Sequence, residues 1–168
     1  MPDNRSSAES QAHALLDQAV LNLMLGQDRQ RPWSEAEIAR MLSTPGHVPA
    51  GLKRLRSAGL VHRWNDLATA SHPAVYYHEI TQSTDPAAEH EHHWDSAVLE
   101  SLIVRGSDGH GPLTEQDLWE AFNAKDQKRQ LEIADALDRL DGAGLIERRG
   151  GRSIASEVAQ YLDRIMKL

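Results

Sequence analysis

One twelve-residue segment of the chain occurs in two closely similar copies. LKRLRSAGLVHR, residues 52–63, pairs with LDRLDGAGLIER, residues 137–148, and seven of the twelve positions are identical. Two shorter pairs precede this one in the same order, residues 17–21 with 95–99 and residues 34–38 with 114–118. The sequence therefore contains one unit of roughly 75–85 residues used twice, here called repeat 1 and repeat 2.

Each repeat predicts three helices. Apolar residues at helical spacing indicate a first helix over about residues 8–25, and its counterpart over about 94–105. Ser34 with Glu37, and Thr114 with Asp117, have the spacing of a capping box, so short helices are expected to start there. A third helix precedes the shared Ala-Gly-Leu, whose glycine suits the left-handed position after a helix.

A β-hairpin is expected after each of these glycines, because the apolar period changes from 3.6 to about 2. In repeat 2 the hairpin turns at Gly150-Gly151. In repeat 1 we expect a longer loop, about residues 65–74, and a returning strand over 75–80. A last helix is expected over about 156–167.

This order of elements is the layout of a winged helix-turn-helix. The string Leu-x-Arg-Leu-x-x-Ala-Gly-Leu-[Val/Ile]-x-Arg resembles the junction of recognition helix and wing in bacterial winged-helix transcriptional regulators. The resemblance implies a mostly α fold with small β-hairpin wings (α+β), as two winged helix-turn-helix domains in tandem. Their expected bounds are 8–80 and 94–168, with a polar linker over 81–93.

Composition excludes several classes of protein. The chain has 168 residues, no cysteine, and 25 acids against 18 bases, a net charge of −7. Without cysteine there is no disulfide framework, thiolate zinc site or cysteine nucleophile. Apolar runs fall far short of the ~20 residues of a membrane span, and the start lacks a signal-peptide pattern, so a cytoplasmic protein is expected. No catalytic or phosphate-binding motif is present, so we predict neither an enzyme nor a cofactor.

The charge is unevenly divided between the repeats. Residues 1–85 carry a net charge of −1, whereas residues 86–168 carry −6. An acidic surface repels phosphate, so the two repeats are expected to have unequal roles, with the first half the better candidate for nucleic-acid contact.

The resemblance places base-reading residues at the start of the third helix. Repeat 1 has Pro49, Ala50 and Gly51 there, and none of them has a side-chain hydrogen-bonding group. His47 is the nearest polar residue, and the basic residues that follow suit phosphate. The candidate DNA contacts of repeat 1 are His47, Lys53, Arg54, Arg56, His62 and Arg63, with Trp64 nearby.

Repeat 2 departs further from a DNA reader. Its equivalent positions are Ala134, Asp135 and Ala136, and the same helix carries further acids that would repel phosphate. The candidate contacts here are the wing arginines Arg148, Arg149 and Arg152. They have two open roles, contact with DNA or ion pairs with the acidic helix beside them.

A histidine-rich segment, Glu89–His93, is the densest group of potential metal ligands. His90, His92 and His93 are the candidate ligands, but a solvated linker that is rich in histidine is the favoured interpretation. Histidines after a winged helix are similar to a feature of the ferric uptake regulator family, but its cysteines and dimerisation pattern are absent. We therefore predict no metal site.

Two functions stay open. In the first, the chain is a DNA-binding transcriptional regulator that contacts DNA through domain 1, with domain 2 serving dimerisation or a protein partner. A homodimer is expected, with candidate interface residues Val158, Tyr161, Leu162, Ile165 and Met166. In the second, the chain is an acidic protein-interaction module that does not read DNA and resembles the kite subunits of chromosome-condensing complexes.

Overall fold

The structure is a computed structural model, and it describes residues 4–26, 31–44, 46–82, 92–109 and 111–168. It is mostly helical with two small antiparallel sheets, so the α+β class is confirmed. Repeat 1 contains α1 (Asn4–Leu25), β1 (Trp33–Ser34), α2 (Glu35–Leu42), α3 (Val48–Ser57), β2 (Val61–Trp64), β3 (Leu67–Ala70) and α4 (His72–Gln82). Repeat 2 contains α5 (His93–Ser107), β4 (Leu113–Thr114), α6 (Glu115–Ala121), α7 (Gln127–Gly142), β5 (Ile146–Arg149), β6 (Arg152–Ala155) and α8 (Glu157–Met166).

The two sheets have the same topology. Strand order is β1-β3-β2 in one and β4-β6-β5 in the other, with antiparallel pairing throughout. Trp64 lies opposite Leu67 at the end of the first hairpin, and Arg149 lies opposite Arg152 at the end of the second. The hairpins therefore correspond residue for residue.

Both predicted capping boxes are confirmed. The Ser34 hydroxyl accepts from the Glu37 amide at 3.2 Å, and the Glu37 carboxylate accepts from the Ser34 amide at 3.1 Å. Thr114 and Asp117 repeat these bonds at 3.2 and 2.7 Å. These bonds satisfy amides that a helix start leaves without partners, and they fix where α2 and α6 begin.

The predicted glycine positions are confirmed as well. Gly59 and Gly144 have φ of 75° and 74°, in the left-handed region that favours glycine. The following residue turns back in each case, and the Leu60 amide donates to the Leu55 carbonyl at 2.9 Å, as Leu145 does to Leu140. This geometry ends α3 and α7 and starts the hairpins.

The prediction for the first hairpin was wrong. The returning strand is β3, directly after a two-residue turn at Asn65-Asp66, and residues 75–80 belong to helix α4. Val75, Tyr76 and Tyr77 are residue types that favour strands. Ala74, Tyr77 and Ile80 are nevertheless buried at a spacing of three, which is a helical face.

Equivalent apolar residues form the core of each repeat. Those fully buried in repeat 1 include Ile38, Leu52, Leu55 and Leu60, and their counterparts in repeat 2 are Leu118, Leu137, Leu140 and Leu145. Every helix among the described residues is too short or too polar to cross a bilayer.

The compact units of the structure do not coincide with the predicted domains. Unit 1 comprises Met1–Val75 with Tyr161–Leu168, and unit 2 comprises Tyr76–Gln160. The division falls inside α4 and inside α8, not in the predicted linker over 81–93. The last residues of each repeat are thus grouped with the other repeat's first helix.

Candidate nucleic-acid interface

Arg54, a candidate DNA contact, forms an ion pair within the fold. Its Nε and Nη2 donate to the two carboxylate oxygens of Asp17 on α1, at 2.9 and 2.6 Å, and Asp17 is 1 % exposed. The hydrogen bonds that Arg54 donates to Asp17 raise the pKa of this arginine. A bidentate pair to a buried carboxylate fixes α3 against α1, so this guanidinium is committed to the fold.

Arg63 is engaged in a similar way. Its guanidinium pairs with Glu35 at the first position of α2, so β2 is tied to that helix. The remaining carboxylate of α2, Glu37, pairs with Arg31 at 3.2 Å. The backbone bond from Ser34, with help from Arg31, lowers the pKa of Glu37. Both carboxylates of α2 are therefore neutralised by arginine.

Three basic side chains on α2 and α3 remain available. Arg40, Lys53 and Arg56 are exposed, and none of them forms an ion pair with a described residue. Residues 31–75 contain six bases and three acids, a net charge of +3. Because Asp66 is the only acid there without an arginine partner among the described residues, the two helices present an excess of positive charge.

Two further candidate contacts of repeat 1, His47 and His62, are accessible, as are their neighbours at the start of α3 and on β2. His47, Pro49, Ala50, His62 and Trp64 are exposed. Gly51, in contrast, is buried, and a Cβ there would lie 3.2 Å from the Asp17 Oδ1 atom. This position serves the close approach of α3 to α1. The buried Ala136 occupies the same place in repeat 2.

Acids outnumber bases in the corresponding part of repeat 2. Arg148 pairs with Asp138 of α7 and, at 2.8 Å, with Glu115 of α6. Arg149 pairs with Glu147 of its own strand at 3.2 Å, and Arg152 is exposed at the end of the hairpin. Residues 111–160 contain ten acids and seven bases, a net charge of −3. For Arg148 the ion-pair alternative is therefore the one found.

The predicted dimerisation stripe is largely inside the protein. Leu162 and Ile165 are buried, and Val158, Tyr161 and Met166 are half-buried. The Tyr161 hydroxyl donates to Asp17 Oδ2 at 2.9 Å. The apolar face of α8 thus packs within the chain, which explains its helical periodicity without a dimer.

Sequence reasoning missed the cluster that this bond completes. We call Asp17, Arg54 and Tyr161 the Asp17 cluster. Burial and the bond to Asp17 raise the pKa of Tyr161 to about 12. The Asp17 carboxylate accepts hydrogen bonds from three donor atoms, two on Arg54 and one on Tyr161. These hydrogen bonds compensate for the burial of its charge.

The same cluster exists in unit 2. Asp95 is fully buried and accepts from Arg139 Nε and Nη2, at 3.0 and 2.6 Å to its nearest oxygens, and from the Tyr76 hydroxyl. The hydrogen bonds that Arg139 donates to Asp95 raise the pKa of this arginine. Burial and the separate hydrogen bond from its own hydroxyl to Asp95 raise the pKa of Tyr76. Tyr76 and Tyr161 are equivalent, yet each binds the aspartate of the other repeat.

The histidines of the predicted linker have a structural explanation where they are described. His92 Nδ1 lies 3.3 Å from Asp95 Oδ2, and its ring meets Tyr76 edge-on at 5.6 Å between centroids. His93 is exposed, and His90 lies outside the described residues. Among the residues that are described, no three His, Asp or Glu side chains are grouped to hold a metal ion.

Comparison of the chain with models of protein families, with curated protein sequences and with solved structures found no match. The function therefore has to be argued from the geometry of the chain's own residues.

Proposed function

We propose that the chain is a tandem winged helix-turn-helix protein that binds DNA as a transcriptional regulator, through α2 and α3 of unit 1. The fold assignment is supported by the order of three helices and a hairpin in each repeat. It is also supported by the antiparallel strand that precedes the second helix and pairs with the hairpin. In this scaffold α3 would enter the major groove, and the hairpin would be the wing.

One observation carries the functional part of the proposal. On α2 and α3 the two carboxylates are neutralised by Arg31 and Arg63, while Arg40, Lys53 and Arg56 are left exposed. If these three side chains formed ion pairs, the excess positive charge would be neutralised. Arg148 of repeat 2 is an example, because it pairs with both Glu115 and Asp138. A local positive surface on an acidic protein attracts a polyanion to that surface specifically.

The small number of bases sets the expected strength of binding. Three phosphate contacts predict that log K falls with log salt with a slope of about −3, because each contact releases roughly 0.9 counterion. Pro49 and Ala50 supply no hydrogen bonds to base edges. Sequence preference is therefore expected to be modest and to depend on His47 and on DNA shape.

The test is an anisotropy titration of a labelled pool of random-sequence duplexes with the full chain, between about 50 and 200 mM salt. We expect saturable binding at low salt for the wild type. Lys53→Ala combined with Arg56→Ala should weaken binding and reduce the salt slope by roughly 2. Lys128→Ala combined with Arg129→Ala, which removes the same charge from α7, is the matched control and should change little.

Two results would overturn the proposal. One is the absence of binding by the wild type at low salt. The other is an equal loss of affinity in both double variants, which would indicate attraction by overall charge and not by the α2–α3 surface.

The acidic surface of repeat 2 favours a second candidate, a protein-interaction module. Asp135, Asp138 and Asp141 are exposed along α7, and only Asp138 has an arginine partner among the described residues. Such a row suits a basic protein segment and repels DNA. Stoichiometric capture of a protein partner that is lost in Asp135→Asn with Asp141→Asn, and no DNA binding at low salt, would favour this function.

A further inference from the structure

The tip of the first hairpin has an exposed apolar pair. Trp64 is 80 % exposed and Leu67 is 41 % exposed, and they lie opposite each other across the β2–β3 ladder. Trp64 is the most exposed of the large apolar side chains described. An indole left in water at the end of a hairpin contributes little to the folding of that hairpin, so its presence needs another explanation.

Repeat 2 shows that the hairpin does not need this pair. Arg149 and Arg152 occupy the positions of Trp64 and Leu67 there, in the same register and around a two-residue turn of the same length. The two hairpins also join their neighbouring strands in the same order. The same local fold thus forms with charged residues at its tip, and the apolar pair is specific to repeat 1.

The tip of repeat 1 is held firmly. The Asp66 carbonyl accepts from the Glu35 amide at 2.9 Å, which ties the turn to the start of α2. Leu67 also pairs with Ser34 of β1 on its other side. The indole is therefore presented on a short, anchored turn and not on a long loop.

The residues around the hairpin tip favour a nucleic acid as the molecule that contacts Trp64 and Leu67. Arg40, Lys53 and Arg56 are exposed on the helices of the same unit, and β2 contacts α3 directly. His62, two residues before Trp64 on the strand, is also exposed, so the strand presents two aromatic rings on one face. Aromatic side chains stack on bases, and apolar side chains at a rigid tip can open a base step from the minor groove.

We propose that the Trp64–Leu67 tip is a wedge that enters the minor groove of duplex DNA, where the Trp64 indole stacks on an opened base step and kinks the duplex. This inference rests on the proposed function, because α2 and α3 must first bring DNA to the tip. It adds a specific activity, bending, that phosphate contacts by α3 do not provide. The bases most easily opened are at pyrimidine–purine steps, so we expect a preference for them.

The experiment measures binding and bending separately with the full chain. The probe is a short duplex with a central TA step and a fluorescent dye at each end, in which bending raises energy transfer between the dyes. The variants are Trp64→Ala and Trp64→Arg, the second being the natural residue of the equivalent position in repeat 2. Leu131→Ala, at an exposed apolar residue of α7, is the matched control.

We expect the wild type and Leu131→Ala to raise energy transfer on binding. Trp64→Ala should bind roughly tenfold more weakly through loss of stacking and should not bend the probe at saturation. Trp64→Arg should retain affinity through its added charge but also fail to bend. Since the chain has four tryptophans, the fall in indole emission on DNA binding should be larger in the wild type than in Trp64→Ala.

The inference is overturned if the wild type binds the duplex without bending it, or if both Trp64 variants bend it as the wild type does. Either result leaves DNA binding by α2 and α3 intact. If the wild type does not bind the duplex at all, the proposed function and this inference are both overturned.

Discussion

At the scale of single residues, two buried aspartates connect separate elements of the fold through polar side chains. Asp17 and Asp95 each accept hydrogen bonds from an arginine and a tyrosine. Breaking a buried ion pair by removing one partner costs about 3–5 kcal/mol, because the other charge is left in the interior. Because both arginines are partly exposed, the cost of breaking either cluster is expected toward the lower end of this range of free energies.

The Asp17 cluster predicts a loss of stability at high pH. The pKa of Tyr161 is raised to about 12 in the folded protein, above its ordinary value of about 10. A raised folded-state pKa gives stability that is complete below about pH 10 and is lost as pH rises toward 12. Tyr161→Phe should lower stability at neutral pH and flatten this alkaline decline. The free energy of unfolding of the full chain, measured by urea titration from about pH 7 to about pH 11.5, reports both effects.

Tyr76 also titrates late, so the wild-type profile contains two contributions. The variant Tyr161→Phe should therefore reduce the alkaline decline without abolishing it. An unchanged profile would show that the bond between Tyr161 and Asp17 is not formed in solution.

The two clusters consist of residues that match between the repeats. Asp17 matches Asp95, Arg54 matches Arg139 and Tyr76 matches Tyr161, so every member is identical between the repeats. We interpreted Arg54 as a phosphate contact because its position on the third helix allowed that role. A buried acid 37 residues earlier in the chain cannot be located from local periodicity.

At the scale of elements, the local signals predicted helix starts and ends well. Capping boxes and left-handed glycines act through neighbouring backbone atoms, so their effect can be predicted without knowing the tertiary structure. The β3 strand, Leu-Ala-Thr-Ala, has no comparable signal, because two of its four residues are alanine and one of its partners, β1, lies more than 30 residues earlier in the chain. The strand-favouring residues of α4 then drew the prediction to the wrong segment.

The capping box of α2 makes a prediction at this scale. Ser34→Ala removes the hydroxyl that accepts from the Glu37 amide and should lower the free energy of unfolding by about 1 kcal/mol. Ser57→Ala, at the exposed end of α3, is the control and should change it by less than about 0.5 kcal/mol. Equal effects of the two substitutions in urea titrations would contradict a specific role for the cap.

At the scale of the whole molecule, the repeat and the compact unit are different divisions of the chain. The repeats were predictable from sequence identity, because each contains its own three helices and hairpin. The grouping of the last residues of each repeat with the first helix of the other repeat was not predictable from the sequence. It depends on which of the two aspartates each tyrosine binds. Tyr161 and Asp17 are 144 residues apart, and both repeats offer an equivalent aspartate.

Removal of Tyr161–Leu168 should therefore affect unit 1 first. The deletion takes away the hydroxyl bound to Asp17 and the buried side chains of Leu162 and Ile165. Amide hydrogen exchange should become faster in α1 and α3, while α5 and α7 keep most of their protection. Faster exchange confined to α5 and α7 would show that the closing residues belong to the other unit.

The central claim, that α2 and α3 of unit 1 form the DNA-binding surface, is tested most directly by NMR. The isotope-labelled full chain is titrated with the random-sequence duplex pool at low salt, and backbone amide shifts are mapped onto the sequence. We predict that the amides over residues 47–57, the end of α2 near Arg40 and the tip at Trp64 shift together, while those of α7 stay unchanged. Shifts confined to repeat 2, or no shifts at saturating duplex, would contradict the account.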